Sequence, residues 1–401
     1  MINTRVPSSL LMTRLTQDLL DKQSDIAAVQ EQIASGKKIN RPSDNPAQAA
    51  HIISIEQASS QLDQFQRNAS AAESRLSLEE ASLTGVANSL MRIRELALSS
   101  NNGTIDNAGR SAINAEIELK LEELYDLANS RDSNGNYLFS GSNTQNKPFS
   151  KSDPVTYHGS DDAQSVTIGL GRKISMGDSG TDVFMRVRSG NGDFSVNSSA
   201  TNTGTATIAK GSVIDPTVYS PTPYSIEFTS NNSFDIINSD TGIALQTGVG
   251  YTAGAAVEFA GIKTNIHGTP ATGDTFSITP SINQDIFSTV SKFVDTLNGD
   301  YQTAGDKSYL QQNINSFLDN VDNSLDHINI VRARVGTRQN SIDSSREENA
   351  NINLQLQRTR SEVEDIDIAE AVTRLQTKAS SLEILQKSFS RIESLSLFNY
   401  M

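Results

Sequence analysis

The sequence contains no cysteine and no tryptophan, and its aromatic fraction is only 6%. The missing cysteines exclude disulfide frameworks, thiolate catalysis and cysteine-based metal sites. With 36% hydrophobic residues and no tryptophan, helical seams of small aliphatic side chains are expected in place of large aromatic cores. No apolar run approaches the roughly 18 residues that mark a membrane-spanning helix. The start, Met1-Ile2-Asn3-Thr4-Arg5, leads into polar-interrupted sequence instead of the apolar core and cleavage site of a secretory signal. Positive charge is scarce too. The 33 Lys and Arg residues against 47 Asp and Glu leave a net charge of -14, with no dense basic stripe, so nucleic acid and membrane surfaces are poor partners.

Catalytic motifs are also missing. His51, His158, His267 and His327 stand far apart, and neither HExxH, GxSxG nor GxxxxGK[ST] occurs. No enzyme activity, cofactor or metal is therefore expected. Asp365 and Asp367 form a DxD, but carboxylates two residues apart on a helix diverge, so a solvated or capping pair is expected. Gly169-Leu170-Gly171 and Gly248-Val249-Gly250 lack the spacing of a dinucleotide loop and are expected in turns. Glu79-Glu80 and Glu122-Glu123 are expected on solvated helix faces.

The sequence does carry long helical periodicity. From Pro46 to about Ser100, Ile55, Ala58, Leu62, Phe65, Ala69, Ala72, Leu76, Leu83, Val86, Leu90, Ile93 and Ala97 recur in steps of three and four. Glu79 is the single polar interruption. Such a seam predicts a helix of roughly 80 Å packed on other helices. Asn45 can cap its first turn, Pro46 suits the first helical position and Gln48 can complete a capping box. Upstream, Met12, Leu15, Leu19, Ile26, Val29 and Ile33 form a second seam that Lys22 interrupts and Gly36 ends. A shorter helix carries Ile113, Ile117, Leu121, Leu124 and Ala128, and Asn134-Gly135 then turns the chain into strand-like Tyr137-Leu138-Phe139.

Between about Pro148 and Pro280 the pattern changes to short β runs, among them Ser165–Ile168, Val183–Val187 and Tyr224–Phe228, separated by Gly, Asn, Asp, Ser and Thr clusters. Helix returns at Ile286-Phe287, Val290, Phe293-Val294 and Leu297. After a turn near Gly305 it is expected to run from about Ser308 almost to the end, through Leu310, Ile314, Phe317, Val321, Leu325, Ile328 and Val335. Ser341–Asn351 is polar enough to be solvated or to lie at a wet interface. The last stripe runs through Val363, Ile366, Ile368, Val372, Leu375, Ala379, Leu382, Leu385, Phe389, Ile392 and Leu395. The expected fold is α+β: a long antiparallel helical rod made by both chain ends, with an all-β insertion. Residues 1–42 with 361–401 are expected to form a terminal coiled-coil domain, 43–149 with 283–360 the helical rod, and 150–282 the β domain.

Two terminal helices with no third element cannot bury all their apolar surface alone, and isolated helices are marginal in water. Met12, Leu15, Leu19, Ile26, Val29, Ile33, Val372, Leu375, Leu382, Leu385, Phe389, Ile392 and Leu395 are therefore the candidate assembly interface, folding against neighbouring subunits.

Three segments carry a family resemblance. Ile33–Pro46, Arg332–Asn340 and Glu364–Ala371 resemble the flagellin superfamily in order and spacing, although Asn45 stands where the superfamily usually has Asp. Asn134–Gly141 leading to Pro148-Phe149, together with the ending Leu395–Met401, resembles its hook-filament junction family more than filament flagellin. That family ends more often in Asp-Tyr-Leu, and from about Ser189 to Ile282 no specific resemblance is found. The resemblance implies a non-enzymatic subunit of the extracellular flagellum at the junction of hook and filament. It implies export through the flagellar type III channel, with a chaperone gripping the C-terminal region. The implied partners are neighbouring copies of the chain, the adjacent hook-associated protein and flagellin. A short flagellin of the filament itself, or a surface-exposed binder using the β insertion, are the alternatives.

Overall fold

The structure is a computed structural model that describes residues 8–102, 105–152 and 154–398; of residues 8, 9, 11 and 392–398 it describes the backbone alone. Its helices are α1 (Ser8–Ser35), α2 (Pro46–Ser100), α3 (Asn107–Ala128), α4 (Ile286–Leu297), α5 (Ala304–Glu364) and α6 (Ile368–Phe398). Helices occupy both ends of the chain and an antiparallel β-rich region fills the middle, the fold class expected from the pattern. Local chemistry fixes where the helices begin. The Asn45 side chain accepts from the Gln48 N–H at 3.2 Å, directly before Pro46, and Asp285 accepts from the Ser288 N–H at 2.6 Å. Gly36 ends α1 in the left-handed conformation, with φ of 71°, which a side chain would resist.

The chain divides into two compact units, Met1–Arg67 with Ser345–Met401 and Asn68–Ser344. In the second, Leu76, Leu83, Leu90 and Ile93 of α2 join Ile117 and Leu124 of α3, Val290 of α4 and Ile314, Val321 and Ile328 of α5 in one buried core. Here α2 and α5 are antiparallel, tied by Arg94 to Asp322 at 2.6 Å and Arg332 to Glu80 at 2.8 Å. The first part of the β region folds onto these helices. Strands β1 (Phe149–Ser150) and β2 (Thr156–Tyr157) pair, as do β3 (Ser165–Gly169) and β4 (Arg172–Ser175), while β5 (Val187–Arg188) pairs with β15 (Asn283–Gln284). Phe149 and Phe184 from this region lie 5.1 Å and 5.5 Å from the Phe287 ring, and Tyr125 stacks on Phe287 at 4.4 Å. Phe287, fully buried, is the hub of that cluster. Phe287→Ala is expected to cost about 3–5 kcal/mol, read as a lowered denaturant midpoint with an unchanged slope.

A second core lies entirely within the β region. One sheet has the order β11 (Ala244–Gly250), β10 (Ser233–Asn238), β9 (Tyr224–Ser230), β14 (Thr275–Pro280), β6 (Phe194–Ser198). The other pairs β13 (Ile262–His267) with β12 (Ala256–Phe259), β7 (Thr207–Ile208) and β8 (Ser212–Val213). Alternate residues such as Ile226, Phe228, Phe234, Ile236, Ile266 and Phe276 fill the space, as the two-residue period of a strand requires. Gln312 of α5 is buried there with its Oε1 accepting from the Ile208 N–H at 2.8 Å, so this core docks on α5 through satisfied polar groups.

Several expectations are corrected. Residues Thr181–Met185 form a π-helical turn, not a strand: Ser179 takes the Val183 N–H on its carbonyl, and Val183 and Phe184 are buried without an extended backbone. Tyr137 makes an isolated bridge to Arg131, and Tyr137-Leu138-Phe139 is not a strand. The C-terminal helix is not continuous but breaks at Asp365–Asp367, so the DxD lies between helices; Asp367 caps α6, accepting from the N–H groups of Ala369 and Glu370 at 2.9 and 3.1 Å. In the polar stretch Ser341–Asn351, Ile342, Ser345 and Asn349 are buried once per turn, Arg346 is half-buried, and Asp343, Ser344, Glu347 and Glu348 face water. Gly169 ends β3 and Gly248 and Gly250 lie in β11, whereas Gly171 is in the turn between β3 and β4. Glu79 is not solvated: it is 1% exposed, and its Oε1 accepts from the Asp178 N–H at 3.0 Å. Glu122 and Glu123 are exposed and pair with Lys151 and Lys120.

Candidate assembly interface

The unit Met1–Arg67 with Ser345–Met401 places the candidate residues on two antiparallel helices, α1 and α6, which pack on one another. Lys378 of α6 reaches Asp25 of α1 at 3.3 Å. Their seam is incompletely covered. Val29 is buried, whereas Met12, Leu15, Leu19, Ile26, Ile33, Leu375, Leu382, Leu385 and Phe389 are half-buried and Val372 is exposed. The side chains of Ile392 and Leu395 lie outside the described residues, as does the ending Asn399-Tyr400-Met401. Ala371, fully buried on α6, is an anchor that the stripe did not include, because a small residue between polar neighbours carries little periodic signal. Leu10 and Leu20 of α1 and Ile384 of α6 are exposed outright. An exposed leucine alone is unremarkable, but a stripe in which most members are half-covered is what a two-helix pair leaves for further neighbours.

The helix pair is fastened at its base. The Lys38 N–H donates to the Glu364 carbonyl at 2.6 Å, and the Ile366 N–H donates to the Gly36 carbonyl at 3.0 Å. Lys37 lies 2.5 Å from the largely buried Glu364, which Arg360 also holds at 2.6 Å. Burial opposes ionisation of Glu364, but the bonds from Arg360 and Lys37 together outweigh it and hold the carboxyl below its ordinary range. Asp44 accepts from the N–H groups of Asn40 and Arg41, fixing the connector before α2. Periodicity had no means of finding this junction, because its bonds join the connector before α2 to the end of α5 and the break after it, more than 300 residues away. In the same unit α2 and α5 are antiparallel, with Ser59 to Asn353 at 2.9 Å and Arg360 to Glu56 at 3.0 Å.

Among the described residues no group of His, Asp and Glu could hold a metal ion, and no helix is long and apolar enough to cross a membrane. Half-covered apolar stripes on paired helices can bind other helices, and that is the chemistry this surface offers.

Comparison with known proteins agrees with the architecture. The model of the bacterial flagellin N-terminal helical region matches residues 2–144, and that of the C-terminal helical region matches residues 318–401. Helical ends of that kind around a β-rich centre define a flagellin-type chain. The crystal structure of flagellar hook associated protein-3 from Legionella pneumophila is 32% identical, with a TM-score of 0.74, and the match covers 78% of this chain and 98% of that one. The crystal structure of FlgL from Xanthomonas campestris is 31% identical with a TM-score of 0.71, covering 77% of this chain and 99% of that one. The chain belongs to the flagellar hook-associated protein 3 family within the flagellins. The curated relative from Salmonella typhimurium, flagellar hook-associated protein 3, is 27% identical over 187 residues, 46% of this chain, and the match spans 58% of the relative's own length.

Proposed function

We propose that the chain is a structural adaptor of the bacterial flagellum, joining hook to filament outside the cell. It leaves the cell through the flagellar type III system, with a chaperone at its C-terminal region, and filament assembly and swimming depend on it. Residues 1–42 with 361–401 line the axial tube, 43–149 with 283–360 carry the helical body, and 150–282 form an outward β domain. Its partners are copies of itself, the adjacent hook-associated protein and flagellin. The observation that supports this reading most is the half-covered stripe on α1 and α6 in a chain of this family. A bacterium lacking the chain is expected to keep its hooks, shed flagellin monomers into the medium and lose swimming, all restored by the intact chain. Filaments of normal length on the deletion strain would overturn the adaptor role. The short-flagellin alternative is separated by polymerisation: the purified adaptor does not grow long filaments unaided.

A further inference from the structure

Beside the fastened junction of α1 and α6 the surface carries a hole and a knob. The hole is a hollow of about 210 Å³ with Ile39, Pro42, Ile52 and Ile53 in its wall, beside the Lys37–Glu364 pair and Arg41, whose guanidinium also meets Glu31 at 3.3 Å. Ile53 on α2 is 51% exposed, and the neighbouring Lys38 faces water. The knob is the first turn of α6, where Ile368 is 60% and Val372 38% exposed, one helical turn apart on the same face. Asp365, Asp367 and Glu370 surround it, and all three are exposed. The run Lys37-Lys38-Ile39-Asn40-Arg41 is a concentration of positive charge in a chain of net charge -14, and the run from Glu362 to Glu370 is a concentration of negative charge.

We propose that the hole of one copy receives the Ile368–Val372 knob of a second copy of this chain, with Lys38 and Arg41 facing the carboxylates around that knob. The inference rests on the reading of the chain as a subunit of an assembly, and it names the surface through which copies meet. Charge complementarity selects the occupant: Lys37 offsets Glu364 at the hollow, which leaves Lys38 and Arg41 as the cations on its exposed side, and these match the exposed carboxylates around the apolar protrusion. The two patches differ, so the contact is heterologous, one copy's knob in the next copy's hole. A heterologous contact repeats from copy to copy and yields a ring or a helical array, whereas a self-complementary patch would stop at a dimer. Because the Lys38–Glu364 and Gly36–Ile366 backbone bonds hold knob and hole in one rigid junction, each added copy presents the next site in the same geometry.

The absence of native cysteine makes the test direct. Ile53→Cys and Ile368→Cys are introduced singly into the full chain and expressed together in one bacterium lacking its own copy. Flagella are sheared off, oxidised mildly and blotted for the chain, which first reports whether each variant is incorporated. Cross-linked dimer in flagella carrying both variants, and none in flagella carrying either alone, is the expected result. Dimer from one variant alone means a self-complementary contact and overturns the proposal, as does the absence of dimer when both variants are present in the flagella. Loss of the chain from flagella altogether would count against the flagellar reading itself. As a second measurement, Lys38→Glu with Arg41→Glu is expected to lower the amount retained in flagella at least tenfold, and Asp365→Lys with Glu370→Lys in the same chain to restore most of it. No restoration overturns the charge pairing.

Discussion

A chain carrying Leu385→Ser and Phe389→Ser together is expected to fold its Asn68–Ser344 unit normally and to leave the cell non-swimming. Both residues lie on α6, one turn apart, and both are half-buried in the single chain, so each has apolar surface left for a neighbour to cover. Full burial of such a side chain contributes about 1.5–3 kcal/mol. Recovering even half of that from each residue amounts to about 1.5–3 kcal/mol, which changes an association constant by about tenfold to a hundredfold. Neither residue belongs to the helical core or the β core of the other unit, so the thermal unfolding of that unit stays where it was. The measurements are the melting curve of the purified variant, swimming in soft agar, and blots of the medium for this chain and for flagellin. Hooks without filaments, with both proteins in the medium, is the expected pattern. Normal filaments would show that the α6 stripe is not an assembly surface. A variant retained inside the cell would instead point to the chaperone proposed for the C-terminal region.

The helical framework was legible because its signals are local and repeated. The seam of α2 runs through Leu62, Leu76, Leu83, Leu90 and Ile93, and every one of these is buried. Asn45-Pro46 marked the start of α2 because capping chemistry depends on adjacent residues only. The β region was legible as a class and opaque as a topology, since strand order such as β11-β10-β9-β14-β6 depends on pairings that no single segment encodes. The run Val183–Val187 misled because burial selects Val and Phe whether the backbone is extended or coiled; the hydrophobic signal reported the environment and not the conformation. The break at Asp365–Asp367 was missed for the opposite reason. Its acidic residues carry no apolar period, and only the bonds to Gly36 and Lys38 show that the chain turns there. In the candidate interface the stripe positions were legible, but the hole at Ile39, Ile52 and Ile53 was not, because it is built from a connector and the start of the following helix.

Glu79→Gln is expected to remove most of the alkaline loss of stability that the intact chain should show between about pH 4.5 and 8. Glu79 was the one polar residue in the α2 seam, and the structure buries it among charged groups from every element around it. Arg75 lies on α2, Asp178 on the loop after β4, Arg334 and Arg338 on α5, and Asp132 after α3. Arg338 and Arg334 hold Asp178 at 2.7 and 3.4 Å, while Arg75 reaches Asp132 at 3.3 Å and donates to the carbonyls of Tyr137 and Leu138. The cations are therefore committed to other acceptors. Glu79 Oε1 takes the Asp178 N–H, and Oε2 has no hydrogen-bond partner among the described residues. Burial first, and the neighbouring Asp178 carboxylate second, raise the Glu79 pKa to about 8, with Arg338 and Arg75 offsetting part of the rise. The sign follows from linkage. Between the ordinary carboxyl pKa and about 8 the unfolded chain has released this proton and the folded chain still holds it, so rising pH favours unfolding. The contribution is fully present below the unfolded value, falls by at most about 1.4 kcal/mol per pH unit through the window, and is flat above it. Gln keeps an oxygen for the Asp178 N–H and has no proton to lose, so the variant should follow the intact chain at low pH and exceed it in stability near pH 8. Denaturant unfolding of both proteins from pH 4 to 9 measures this directly. Parallel curves across that range would mean that Glu79 is ionised in the folded chain and that its cations compensate it fully.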